Sequence, residues 1–298
     1  MDEGAALSQL STTISQAGDD AAVISLDSVS LVITTDMLHE ATDFPDGTTK
    51  YTAGWRAVGA SLSDVAAMGG QAIAAVAVYG APAFDSDELD SFIAGAIDVC
   101  EAVGGSYVGG DLDTTSELTV ATTALGTVDH PSYRHGAQVG DCVCVSGSFG
   151  RTAAGLKAFA ADDITYANEL FQFTPRVRTG VALTEYTTAM MDSSDGLARS
   201  VHQLASASEV GMSLRWDSIP AHPGVKEYAD DVSTQRELTT TIGEDFELVF
   251  TLPPTAVEDA RGTTSAPLHV IGEVTESGSG ITIDDEPLAD EGYTHATD

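Results

Sequence analysis

Apolar and polar positions alternate through AAVISL and SLVITT between Ala21 and Thr35, which predicts two strands joined by a tight polar turn at Asp27 and Ser28. The spacing then changes. From Thr52 to Met68, residues Trp55, Val58, Leu62 and Val65 recur as one face of a helix that Gly69-Gly70 would stop. Gln71 to Tyr79 carries no charge and predicts a buried strand. A helix over Asp85 to Val103 has acids in its first turn and Gly104-Gly105 after its last, as the helix dipole and a glycine stop favour. Short strands are expected at Tyr107-Val108 and from Leu118 to Val128.

A break is expected near Arg134 to Asp141, where the loop YRHGAQVGD precedes a new strand, DCVCVSG. Helices are expected near Thr152 to Ala160, Arg176 to Tyr186 and Leu197 to Ala207. Strands are expected at Glu247 to Leu252, Leu268 to Gly272 and Gly280 to Ile283. The mixture predicts an α/β (α+β) fold in two units, residues 1–138 and 139–298. No repeat of solenoid or propeller length occurs.

Composition adds a constraint. Of 298 residues, 46 are acidic and 12 basic, a net charge of −34, yet 43 % are hydrophobic. A core is affordable and disorder is not indicated. So acidic a surface excludes a broad electrostatic grip on nucleic acid or anionic lipid. Lysine occurs only at Lys50, Lys157 and Lys226, a balance that concentrated salt would screen and that points to a salt-adapted cell. Cys100, Cys142 and Cys144 form no CxxC pair and predict buried thiols rather than a disulfide framework. MDEGAALSQL carries acids where a secretory signal carries bases. The uncharged stretch from Val65 to Phe84 is too rich in Gly, Ala and Pro to span a bilayer. A soluble cytoplasmic protein is expected.

Nucleotide signatures of the P-loop and Rossmann kinds are missing, and SGSFGRTAAG (Ser146 to Gly155) reads as a turn between strand and helix. Six acid-bearing segments stand out because Gly, Ser, Thr or apolar residues flank them. They are GDDAAV, ITTD, SLSD, VGGD, MMDSSDG and IGEDFELV. Carboxylates at strand ends beside small residues suit a hard cation, and they could converge only if a cation neutralised them. The same acids could equally form a solvated face, as Asp162-Asp163, Asp230-Asp231 and Asp284-Asp285 do in polar turns. On pattern alone both readings stand.

The order of GDDAAV, TTDML, GWRAVGASLSDVAAMGG, VGGD, RHGAQVGD, MDSSDGL and GEDFEL, with a C-terminal GY, resembles the thiamine-monophosphate kinase family of the aminoimidazole ribonucleotide synthetase superfamily. That resemblance implies two α/β domains, an N-terminal ATP/Mg-binding and dimerisation domain and a C-terminal domain completing the site. It implies γ-phosphoryl transfer from ATP to thiamine phosphate in a homodimer. Mg²⁺ would serve in several ions, with K⁺ as an accessory cation. By motif, Asp20, Thr34, Thr35, Asp36, Asp64, Asp111, Asp192 and Asp195 would bind metal. Gly110, Asp111, Arg134 and Ser194 would contact the nucleotide and its phosphates, while Asp43, Glu244 and Tyr293 would line the thiamine side. No general base is implied. Asp43 stands where the family has His, and Ile242 where it has Gly. The hydrogenase-maturation carbamoyl dehydratase of the same fold needs a C-terminal reactive cysteine, and none follows Cys144. Selenophosphate synthetase needs one near the N-terminus, and the first is Cys100. Aminoimidazole ribonucleotide synthetase and a non-catalytic cation-binding scaffold stay as alternatives.

Overall fold

β1 (Ala22–Ser25) and β2 (Ser30–His39) form the expected antiparallel hairpin, with Ser25 opposite Ser30. The computed structural model describes residues 9–10, 13–14 and 17–293; the first eight residues, on which part of the reading against a secretory signal rests, lie outside them. After a one-turn helix α1 (Glu40–Asp43), α2 (Lys50–Ala67) begins where Thr49 accepts the Thr52 N–H at 3.1 Å. β3 (Gln71–Ala81), α3 (Ser86–Val103), β4 (Ser106–Thr114) and β5 (Thr119–Val128) follow, giving a five-stranded sheet ordered β1-β2-β5-β3-β4.

Two expectations need correction here. β3 is not buried on both faces: Ala75, Ala77 and Tyr79 face the helices, while Ile73, Val76 and Val78 lie on an open face. An Ala/Val strand hides this, because both of its faces are apolar. β4 runs nine residues rather than two, so VGGD lies inside a strand and not at its end. Gly110 makes this pairing fit, since a Cβ there would sit 1.7 Å from the Ala77 carbonyl oxygen of β3.

The second half contributes β6 (Cys142–Ser146), α4 (Arg151–Ala160), α5 (Ile164–Phe171), α6 (Val177–Leu183), β7 (Ala189–Asp192) and α7 (Leu197–Ser208). β8 (Gly211–Leu214), α8 (Val225–Tyr228), α9 (Val232–Thr240), β9 (Leu248–Leu252), α10 (Val257–Thr263), β10 (Leu268–Thr275), β11 (Ile281–Ile283) and β12 (Glu286–Pro287) complete it. These strands form a seven-stranded mixed sheet ordered β12-β11-β8-β10-β6-β9-β7. β7 and β9 are buried throughout, so neither shows alternation. Cys144 is buried and Cys142 half-buried on β6, as expected of packed thiols. Among the described residues no helix is long and apolar enough to cross a membrane.

The two halves share a core. Val58, Leu62, Val65 and Ala66 of α2 belong to one buried cluster with Met190 of β7 and with Leu248 and Phe250 of β9. Helix α6 approaches α2 closely because Gly180 carries no side chain; a Cβ there would meet the Ala66 carbonyl oxygen at 2.1 Å. The C-terminal half of α2, with Ser61, Ser63 and Asp64, is thereby wedged between the two sheets.

Candidate active site

Side chains alternate along β2, so Thr34 and Asp36 point towards α2 while Thr35 points away. The Thr34 hydroxyl donates to Asp64 Oδ2 at 2.6 Å. Ser61, one turn earlier on α2, donates to Asp36 Oδ2 at 2.8 Å. Ser63 donates to Asp192 Oδ2 at 2.5 Å, tying α2 to the end of β7. Arg134 grips Asp20 with two nitrogens, at 2.7 and 3.3 Å, and its backbone N–H donates to Asp19 Oδ1 at 2.7 Å. As a result Asp20, Asp64 and Asp192 each offer a carboxylate oxygen, all within 4.8 Å of one another.

Burial and one another's charges raise the pKa of the Asp64, Asp192 and Asp36 carboxyls. Burial, and then the charges of Asp36, Asp192 and Asp20, push Asp64 well above the ordinary carboxylate range. Burial and then Asp20 do the same to Asp192, against the Ser63 hydrogen bond. Asp36 is raised by burial, which the Ser61 bond partly opposes and Glu244 and Asp20 reinforce. Burial alone would weaken the base at Arg134, but Asp20 beside it holds the guanidinium above its usual value. An all-oxygen donor set whose members repel one another fits a hard divalent cation.

This gives a pH prediction. Protons compete with a cation for Asp64 and Asp192, whose carboxyls ionise above the usual range, so the apparent Mg²⁺ affinity should rise with pH and binding should release protons. Calorimetry in buffers of different ionisation enthalpy measures both; affinity that is flat from acidic to alkaline pH would contradict it.

Asp36, Asp43, Ser194, Asp195, Glu244 and Tyr293 all line one cavity, alongside Phe246. The Tyr293 N–H donates to the Asp195 carbonyl at 3.0 Å, and the Glu244 N–H to the Ser194 carbonyl at 2.6 Å. Asp43 accepts the His39 N–H at 2.6 Å and the Thr42 hydroxyl at 2.9 Å, so its charge is met by its own turn. A second cleft of about 510 Å³ opens beside Asp19, lined by Tyr133, Arg134 and His135; the Tyr133 and His135 rings stack at 5.3 Å.

Some expected residues are not brought in. Thr35 donates to the Thr122 carbonyl at 2.7 Å on the other face of β2. Asp111 is exposed on β4, paired in register with Val78 of the open face, and accepts the Leu112 N–H. Gly110 abuts Ala77. Other residues went unread. Ser61 and Ser63 lie inside SLSD, and their spacing from Asp64 was the only available signal. Arg56, Asp245 and Glu247 lie inside quoted motifs but carry contacts that only the fold reveals. Asp245 accepts the Gly150 and Thr152 N–H groups at the start of α4, and burial pushes it up to about 7. Glu247 pairs with Arg176 and accepts from Ser146.

Two sheets with carboxylates gathered between them define the class. The AIR synthase related protein N-terminal domain matches residues 18–128 and the C-terminal domain residues 138–285, so the chain belongs to this family. Within it the chain is a member of the thiamine-monophosphate kinases. It is 54 % identical to the thiamine-monophosphate kinase of Halobacterium salinarum, over 99 % of this chain and 100 % of that one. It is 39 % identical to that of Methanospirillum hungatei, over 93 % and 92 %. Among solved structures, AaThiL complexed with AMPPCP and TMP superposes with a TM-score of 0.89 at 26 % identity, covering 99 % of this chain and 97 % of that one.

Proposed function

We infer that the protein transfers the γ-phosphoryl group of ATP to thiamine phosphate, giving thiamine diphosphate and ADP. Given the family, the observation that carries this reading is the convergence of Asp20, Asp64 and Asp192 from three separate segments within 4.8 Å. The acceptor phosphate needs no strong base, since its second pKa is about 6 and it is mostly dianionic at neutral pH. One of its oxygens attacks the γ-phosphorus, the bond to the β–γ bridging oxygen breaks, and ADP departs with that electron pair. The difficulty is to align two polyanions.

Asp20, Asp36, Asp64 and Asp192 would hold Mg²⁺, which when bound supplies the charge that lets both phosphate groups approach. Thr34 and Ser63 fix the Asp64 and Asp192 carboxylates in orientation. The cleft beside Arg134 suits ATP next to Asp20. Ser194 suits the transferring phosphates, Asp195 beside it would be a further Mg²⁺ ligand, and Glu244 with Tyr293 suits the cationic thiazolium. Residues 1–138 and 139–298 act as the two units of one cytoplasmic, salt-adapted enzyme. Its homodimer forms on the open face of the first sheet, where Met37, Ile73, Val76 and Val78 are exposed. Sedimentation as a monomer in concentrated KCl would sink that last point.

The test of function is conversion of thiamine phosphate with ATP and Mg²⁺ in concentrated KCl, with the substrate of aminoimidazole ribonucleotide synthetase as control. Turnover of thiamine phosphate alone is expected. Turnover of the control substrate alone would replace the kinase reading with the synthetase, and folded protein active on neither would be a cation-binding scaffold.

A further inference from the structure

Arg56 is the largest fully buried side chain of the described residues and reaches from α2 into the second half. One guanidinium nitrogen donates to the Phe171 carbonyl at 3.1 Å. The other donates to Glu244 Oε2 at 2.7 Å and to the Thr152 hydroxyl at 3.2 Å. Its face rests on the Phe171 ring, 4.2 Å from the centroid. Yet its Nε–H, also buried, has no partner. A buried guanidinium left one hydrogen bond short is a poor device for stability, because well-packed apolar residues would do as well or better.

Its geometry serves Glu244 instead. Glu244 has φ +65°, a conformation that a residue with a side chain rarely adopts, and Phe246 has φ +53°. The loop is held there from several sides: the Glu244 N–H by Ser194, the Glu244 carbonyl by the Thr152 hydroxyl at 2.7 Å, and the carboxylate by Arg56. Glu244 still lines the cavity with Asp36 and Tyr293. Arg56 stands two helical turns before Asp64 on one rigid helix, so the loop and the carboxylate cluster are fastened to a single element.

We propose that Arg56 is a positioning residue for thiamine phosphate, aiming the Glu244 carboxylate from across the junction of the two halves. The proposal rests on the kinase reading and on Glu244 facing the substrate. A planar fork is required, since lysine offers a point charge that cannot engage Phe171, Thr152 and Glu244 together.

The experiment is steady-state kinetics of Arg56→Lys, Glu244→Ala and the double variant, with folding checked by thermal melts. Arg56→Lys should raise KM for thiamine phosphate by about tenfold, the loss of one charge-assisted hydrogen bond, with KM for ATP within about twofold. The double variant should be no worse than the poorer single, because Arg56 acts through Glu244. Effects that multiply, or equal rises in both KM values, would make Arg56 a packing residue and overturn the proposal. Should Arg56→Lys not fold, Thr152→Val loosens the same guanidinium and the Glu244 carbonyl; an unchanged KM for thiamine phosphate would then overturn it. Wild-type protein inactive on thiamine phosphate would instead refute the kinase reading itself.

Discussion

Asp64→Asn is expected to abolish turnover while making the metal-free protein more stable. Asp64 is one of the three carboxylates within 4.8 Å, and the Thr34 hydroxyl already fixes one of its oxygens. An amide keeps that shape but loses the charge and half the acceptor capacity, so kcat should fall at least about a thousandfold, or about 4 kcal/mol of transition-state stabilisation. Stability should move the other way. Burial and the charges of Asp36, Asp192 and Asp20 raise the Asp64 pKa above its unfolded value. A group raised in this way favours the folded state below its unfolded pKa, and that contribution is lost as pH rises through the folded pKa. At neutral and alkaline pH the metal-free cluster therefore strains the fold, and Asn relieves the strain. Thermal melts should show a higher Tm than wild type without Mg²⁺ and a smaller rise when Mg²⁺ is added. A variant that keeps full activity would remove Asp64 from the site, and one that unfolds without Mg²⁺ would make the carboxylate a structural element.

Why Asp64 could be singled out from the sequence, and Arg56 could not, follows from where the relevant information lies. Asp20, Asp36, Asp64 and Asp192 sit beside small or apolar residues at the ends of periodic segments, and that local setting is visible along the chain. The order of the motifs then supplied the family, and with it the two-sheet fold. What stayed hidden depends on contacts between segments. The bonds from Ser63 to Asp192 and from Arg56 to Glu244 join residues 129 and 188 positions apart. Periodicity also failed where both faces share one polarity. Both faces of β3 are apolar, with Ala75, Ala77 and Tyr79 on one and Ile73, Val76 and Val78 on the other, so its open face could not be distinguished from its covered one. β7 and β8 are four residues each and fall short of a periodic signal. The reach of β4 was misjudged for a related reason: Gly-Gly reads as the end of a strand, whereas here Gly110 lets β4 lie close against Ala77 and continue.

Dilution of salt is expected to unfold the protein at temperatures where concentrated KCl keeps it native. The net charge is −34, and the acids that carry it include Asp162, Asp163, Asp230, Asp231, Asp284 and Asp285, all exposed. Their compensation is sparse, because the 12 basic residues are partly spent in the interior. Arg56, Arg134 and Arg176 are paired with Glu244, Asp20 and Glu247 around the cleft between the sheets. Cations that stabilise the site are thus withdrawn from the surface, and solvent ions must screen what remains. The screening length is about 3 Å at 1 M salt but about 10 Å at 0.1 M, so neighbouring surface acids separated by several ångströms feel one another only in dilute buffer. If the added repulsion reaches only about 5 kcal/mol, a modest figure for so large a charge, Tm should fall by roughly 10–20 °C. The measurement is Tm by circular dichroism across a KCl series, with sucrose as a non-ionic control. Sucrose strengthens burial in general but does not screen charge, so it should recover little of the loss. An unchanged Tm across the series, or full rescue by sucrose, would mean that the acidic surface does not govern stability. Retained activity should track the folded fraction, because the Arg56–Glu244 and Arg134–Asp20 pairs at the cleft each have one fully buried partner and salt screens them less than the surface acids.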